Sequence, residues 1–209
     1  MLRKVAVVLA ALIAVVFGIV ATRPPTFRVE RTTRIDAPPD VVFALVDDFH
    51  NWDRWSPWAK LDPAMKLDVG GTPTGSGSGA TYQWSGNDKV GEGKMLITGS
   101  RPSQSVTLRL EFIKPMASVN QTDFTFKPDG SGTRVDWVMT GPLDFMGKGM
   151  DLFVGMDKMI GPDFEKGLNA IRREAEADAK KRAEATASAT PPATPAPDAA
   201  PAAPAAPAK

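Results

Sequence analysis

The sequence predicts an α+β domain, a curved antiparallel sheet around a long C-terminal helix, with an N-terminal transmembrane helix ahead of it. Three observations carry this. Between Ala80 and Thr140 the chain breaks into segments of alternating apolar and polar residues separated by short turns, the pattern of half-buried strands. From Asp163 to Glu184 the period becomes helical, with Phe164, Leu168 and Ile171 on one face. Val5 to Thr22 carries no charge, and as a helix it is about 27 Å long, near the thickness of a hydrocarbon core.

The apolar run follows Arg3 and Lys4, and only Arg23 comes just after it. Positive charge stays on the cytoplasmic side, which predicts a single membrane pass with the rest of the chain on the outer, extracytoplasmic side. The competing reading is a cleaved signal peptide and a secreted protein. Ile19-Val20-Ala21 is a poor cleavage site, and the run is long for a signal peptide, which favours an uncleaved anchor. The chain thus divides into an anchor (residues 1–25), a domain (residues 26–184) and an Ala/Pro-rich tail (residues 185–209). The tail has proline every few residues and nothing bulky to bury, so it reads as a disordered spacer.

Within the domain, Phe27 to Asp36 reads as a strand. Ala37-Pro38-Pro39-Asp40 then starts a helix, since proline suits a first helical turn and an acid suits its positive end. Val42, Leu45, Val46 and Phe49 form its apolar stripe. Asn51 reads as the cap of a second short helix carrying Trp52 and Trp55, closed by Ser56-Pro57. Lys66 to Val69 is a brief strand. Gly70 to Gly79 is a flexible loop, either a mobile gate or a plain connection.

Strands follow at Ala80–Ser85, Gly91–Thr98, Ser105–Ile113, Ala117–Lys127 and Thr133–Thr140, with 128–132 as a hairpin turn. They form an antiparallel meander with one apolar face. Leu143 to Ile160 is an interrupted, Met-rich helical stretch, which Gly161-Pro162 is expected to end before the last helix begins. Gly167, in that last helix, either permits close approach to the sheet or opens room for a ligand. A curved sheet gripping a helix leaves a space between them, and small helices sealing one end make it an apolar cavity.

Composition excludes much. A net charge of +1 offers no electrostatic case for nucleic acid. With no cysteine there is no disulfide, thiolate catalysis or zinc–thiolate site, and one histidine cannot build a multi-histidine metal site. No metal, cofactor or catalytic residue is assigned.

Four segments carry a family resemblance. They are Ile35-Asp36-Ala37-Pro38 followed by Val42-Phe43, the run Asp48 to Trp58, the hairpin Asp129 to Trp137, and the stretch Met159 to Leu168. With them the chain resembles the START-like (SRPBCC) superfamily, and within it the polyketide cyclase/dehydrase and lipid-transport branch. The resemblance implies the helix-grip fold and a cavity for a lipid, polyketide-like or other apolar small molecule. It does not imply catalysis, because many relatives only bind.

Three function classes follow: a carrier or binder of an apolar molecule, a cyclase or dehydratase, and an envelope interaction module with a filled interior whose protein partner is unknown. The enzyme would need an acid or base in the cavity, and His50, Tyr82, Glu92 and Asp123 are the candidates. His50 also reads as an ordinary helix-end residue near Asp47 and Asp48. Candidate ligand-binding residues are Trp52, Trp58, Tyr82, Trp84, Asn120, Thr122, Trp137 and Met156. Trp55 is assigned to the core. Asn120 and Thr122 share strand parity with Phe124 and Phe126, which makes them polar groups on an inward face. Met146, Met150, Met156 and Met159 are flexible and polarizable, and read as core, as an adaptable ligand wall or as a surface resting on the bilayer.

Overall fold

The computed structural model describes residues 1–189. Helix α1 (Leu2–Thr22) precedes strand β1 (Thr26–Ile35). Helix α2 (Pro39–Asp47), a 3-10 turn (Phe49–Asn51) and helix α3 (Trp52–Trp55) lead to strands β2 (Lys66–Gly70), β3 (Thr81–Ser85), β4 (Glu92–Arg101), β5 (Ser105–Lys114), β6 (Ser118–Asp129) and β7 (Gly132–Pro142). Helices α4 (Phe145–Phe153) and α5 (Met156–Ala189) close the chain. The strands form one curved, fully antiparallel sheet in the order β1-β7-β6-β5-β4-β3-β2. The meander is thus completed by the first strand pairing with the last, Phe27 opposite Gly141 and Ile35 opposite Thr133.

The concave face buries Val29, Ile97, Val106, Leu108, Phe124 and Val135. Helix α5 lies against it through Phe164, Leu168, Ile171 and Ala175, at spacings of four, three and four. Gly167 allows the closest approach. A Cβ there would sit 2.7 Å from the Trp137 ring, so the helix backbone packs directly on the indole. Of the two roles open to Gly167, close approach is the one observed.

Helix α2 ends inside the protein, and its last four carbonyls need donors. All four have them. Ala44 O accepts from Asn51 Nδ2 at 3.0 Å, Leu45 O from the Trp55 indole at 2.7 Å, and Val46 O from the Trp52 indole at 2.9 Å. Asp47 O accepts from the Gly77 amide at 3.2 Å. Asn51 therefore closes the preceding helix with its side chain and makes no cap bond to α3. The loop 70–79 is a strut, with Gly75 O accepting from Phe49 N and Ser76 bridged to Asp48.

Two boundaries differ from the sequence reading. Gly161-Pro162 does not break the helix, and α5 runs through it. Proline there forfeits one amide donor in the second helical turn. Arg31 clamps both sides of the site, pairing with Asp157 at 2.7 Å and with Glu165 at 2.7 Å. The hydrogen bond and charge of Arg31 hold the Asp157 carboxyl below its ordinary value. Helix α5 also continues past Glu184 to Ala189. The rest of the stretch read as a disordered tail lies outside the described residues.

Two predictions follow from the packing. Trp55→Phe leaves the buried Leu45 carbonyl without a donor and should destabilise the domain by about 1–3 kcal/mol in denaturant titration. Gly167→Ala gains about 1 kcal/mol of helix propensity but forces a shift in a sandwiched indole, at a cost of about 1–3 kcal/mol. The expected net effect is a lower Tm by calorimetry; an unchanged or raised Tm would show that Trp137 has room to move.

Candidate ligand-binding cavity

Between the concave sheet face, α3, α4 and the start of α5 lies a cavity of about 740 Å³, partly open to solvent. This is within the range of small-molecule sites. All eight candidate ligand-binding residues line it: Trp52, Trp58, Tyr82, Trp84, Asn120, Thr122, Trp137 and Met156. Trp55 does not, and is buried in the core.

Aromatic side chains form one wall. Trp137 stacks on Phe164 with centroids 3.9 Å apart and on Phe124 at 4.7 Å. Trp55 and Trp58 meet it edge-on at 5.8 and 6.2 Å. The series continues through Trp52, Phe49 and Tyr82 to Trp84 and Phe112. The rings' fixed geometry makes this wall rigid.

Methionines of α4 and α5 form the other, and further methionines reach the cavity from the sheet and from loops. Every methionine of the chain except Met1 lines the cavity. Met146, Met150, Met156 and Met159 come from α4 and α5, as the sequence reading grouped them. Met65, Met95, Met116 and Met139 were not singled out. Strand parity with Ile97 and Trp137 could have marked Met95 and Met139. Met65 and Met116 lie in turns, where no periodicity points anywhere. One wall is therefore stiff and the other is flexible and polarizable.

The polar inventory is short. Thr122 Oγ1 and Trp137 Nε1 are buried without a hydrogen-bond partner among the described residues. Thr122 pairs in register with Met139 and Phe124 with Trp137, so the two polar groups are diagonal neighbours on one sheet face. Asn120 has its amide oxygen over Gly141, where a Cβ would lie 1.9 Å from it, and its amide nitrogen reaches Ser118 Oγ at 3.4 Å. Burial, aided by the nearby Asp53 charge, pushes the Tyr82 phenol up, so it stays neutral at physiological pH.

Of the four acid–base candidates only Tyr82 reaches the cavity. His50 is largely exposed and bonded to Asp48 at 2.9 Å, under Gly75. Glu92 pairs with Lys114 at 2.7 Å, and Asp123 accepts from Thr107 and Gln121. Two other acids line the cavity, but both are engaged. Asp144 accepts from Gly147 N at 2.7 Å as the α4 cap, and Asp163 pairs with Lys166 at 2.9 Å. None of residues 70–79 lines the cavity, so that loop is not its gate.

An apolar cavity between a curved sheet and a long helix defines a helix-grip protein. Residues 26–176 match the model of the family described as polyketide cyclase/dehydrase and lipid transport, and the chain belongs to that family. A Chromobacterium violaceum protein shares the fold at 15% identity and a TM-score of 0.51, over 74% of this chain and 99% of that one. A Rhizobium leguminosarum protein does so at 14% identity and 0.54, over 72% and 95%. The di-domain ARO/CYC BexL of the BE-7585A biosynthetic pathway matches at 17% identity and 0.53, over 77% of this chain. This chain spans about half of BexL, 52% of its length. At these identities the likenesses show the fold alone. No curated protein matches the chain.

Thr122→Val keeps the shape and removes an unpaired buried hydroxyl. It should therefore raise the stability of the ligand-free protein by about 1 kcal/mol or more. A lower Tm by calorimetry would mean that the hydroxyl has a partner.

Proposed function

We propose that this protein binds and carries an apolar small molecule, such as a lipid or a polyketide-like compound, in the cavity beneath α4. The carrying observation is the composition of the cavity. Its volume of about 740 Å³ is lined by methionine and aromatic side chains, and its only titratable groups among the described residues are a neutral phenol and two engaged carboxylates. A site of this kind gains its affinity from apolar burial and its tolerance of shape from methionine. The unpaired Thr122 and Trp137 groups mark where a polar end of the ligand belongs.

The same observation weighs against the other two readings. An interaction module with a filled interior does not suit a space of this volume. A cyclase or dehydratase would have to work through Tyr82 alone among the four candidates, with a phenol whose proton is held more tightly than usual.

The domain is further proposed to be held at an inner membrane by α1, facing the periplasm. The helix has 21 residues, carries no charge from Val5 to Thr22 and buries only Val20. Its contacts with the domain, through Phe17 and Val20, favour a retained helix over a cleaved one.

The test is native mass spectrometry of full-length protein from its host, followed by lipid extraction. An apolar compound should co-purify. Leu110→Trp, which puts an indole into the cavity, should lose it and should bind a fluorescent fatty acid at least tenfold more weakly. If wild type yields no apolar compound and takes up no fluorescent fatty acid, the carrier reading is wrong.

A further inference from the structure

The charges around the cavity limit what it can hold. Among the described residues no lysine, arginine or histidine lines it, and its only acids are Asp144 and Asp163. Cations on the surrounding elements are committed elsewhere. Lys148 Nζ reaches Ala21 O at 3.5 Å, Arg23 pairs with Asp151 at 3.4 Å, and Arg31 is held by Asp157 and Glu165. Lys166 pairs with Asp163 at 2.9 Å.

Helix starts are the other usual seat for an anion, because their free amides and dipole favour negative charge. Two helices begin at the cavity wall, α4 with Asp144 and Gly147 and α5 with Met156. The chain sets its own carboxylate on each. Asp144 accepts from Gly147 N at 2.7 Å, and Asp151 accepts from Met156 N at 3.0 Å. An anionic ligand therefore meets occupied donors and like charge. A cationic one meets two carboxylates already engaged. The polar groups left over are neutral. Thr122 Oγ1 and Trp137 Nε1, on adjoining strands, lack partners, and their residues are only 4% and 2% exposed. An indole N–H can only donate, so what Trp137 lacks is an acceptor. A carboxylate is an acceptor too, but taking an ion out of water costs more than neutral donors return unless a counter-charge is present. A ketone, ester or hydroxyl oxygen accepts the same bond without that cost.

We infer that the cavity selects uncharged ligands, an ester, ketone or alcohol on an apolar body, and discriminates against the ionised acid or amine of the same chain. The oxygen of such a ligand is the acceptor that Trp137 and Thr122 lack. An ionised acid enters only after protonation, or with its carboxylate left in solvent at the mouth. The inference rests on the carrier reading and adds the charge class of the ligand.

Full-length protein in a neutral detergent would be offered an equimolar mixture of methyl dodecanoate, dodecanoate and dodecylammonium, and its adducts read by native mass spectrometry. At about pH 8 both ions are charged, since carboxylates titrate at about 4 and amines at about 10. The ester adduct should exceed that of either ion by about tenfold or more, because neither ion finds a counter-charge. Met156 lines the cavity and is half-buried. Met156→Lys puts an ammonium on the wall and should move the ester-to-acid ratio toward the acid by about tenfold relative to Met156→Gln, which adds polarity without charge. Met65→Lys does the same from a turn, should the α5 variant not fold. Equal adducts in the wild type, or an ion favoured, overturn the inference and leave the carrier reading standing. An unchanged ratio in the lysine variant does the same. No adduct from any of the three compounds overturns the carrier reading and the inference together.

Discussion

The structure depends on how one helix end is satisfied. Helix α2 stops inside the molecule, where four unpaired carbonyls would cost several kcal/mol between them. The Asn51 side chain and the Gly77 amide serve two of them, and indoles serve the other two. Trp52 and Trp55 each give their only polar hydrogen to α2, so both rings are fixed in direction before they touch the sheet. Trp55 then meets Trp137 and Phe124, and Trp52 meets Phe49 and Tyr82. The cap of one short helix thus sets the stiff wall of the cavity.

Trp137 is the counterpart on the sheet. Its ring is held between Phe124 and Phe164, with Gly167 backbone against its edge, while its N–H lacks a partner. Trp52, Trp55 and Trp84 all place their N–H groups on backbone carbonyls. The exception lies beside Thr122, whose hydroxyl is also unpaired. Among the described residues three buried side-chain groups lack a partner, and two of them adjoin on this sheet face, a stability cost of the kind that a functional site tolerates.

Much of this was legible in the sequence because strand parity is strict. Asn120 and Thr122 were placed inward by sharing a face with Phe124 and Phe126, and β6 alternates as that requires. The Asp48–Trp58 run marked the family and the sealed end. What the sequence did not disclose depends on long-range partners. Pro162 reads as a break because local chemistry says so, but Arg31, 131 positions earlier, bridges it. Asn51 reads as a cap for the helix after it and serves the helix before it. Met65 and Met116 sit in turns, and only the closed fold brings them to the cavity.

The cavity also constrains how the protein can exist. At about 24 cal/mol per Å³, a sealed apolar void of about 740 Å³ would cost roughly 18 kcal/mol, more than a domain's usual net stability. Such a space cannot be an empty defect in a tight core. It persists because one wall is stiff, held by the sheet ladder and the stacked rings, and cannot collapse. The other wall is methionine on α4 and α5, which can move inward without straining a rotamer-poor side chain. The soft wall is the one beside α1, with glycines at 147 and 149 and no buried residue. The cavity thus has its stiff side toward the core and its yielding side toward the apolar helix.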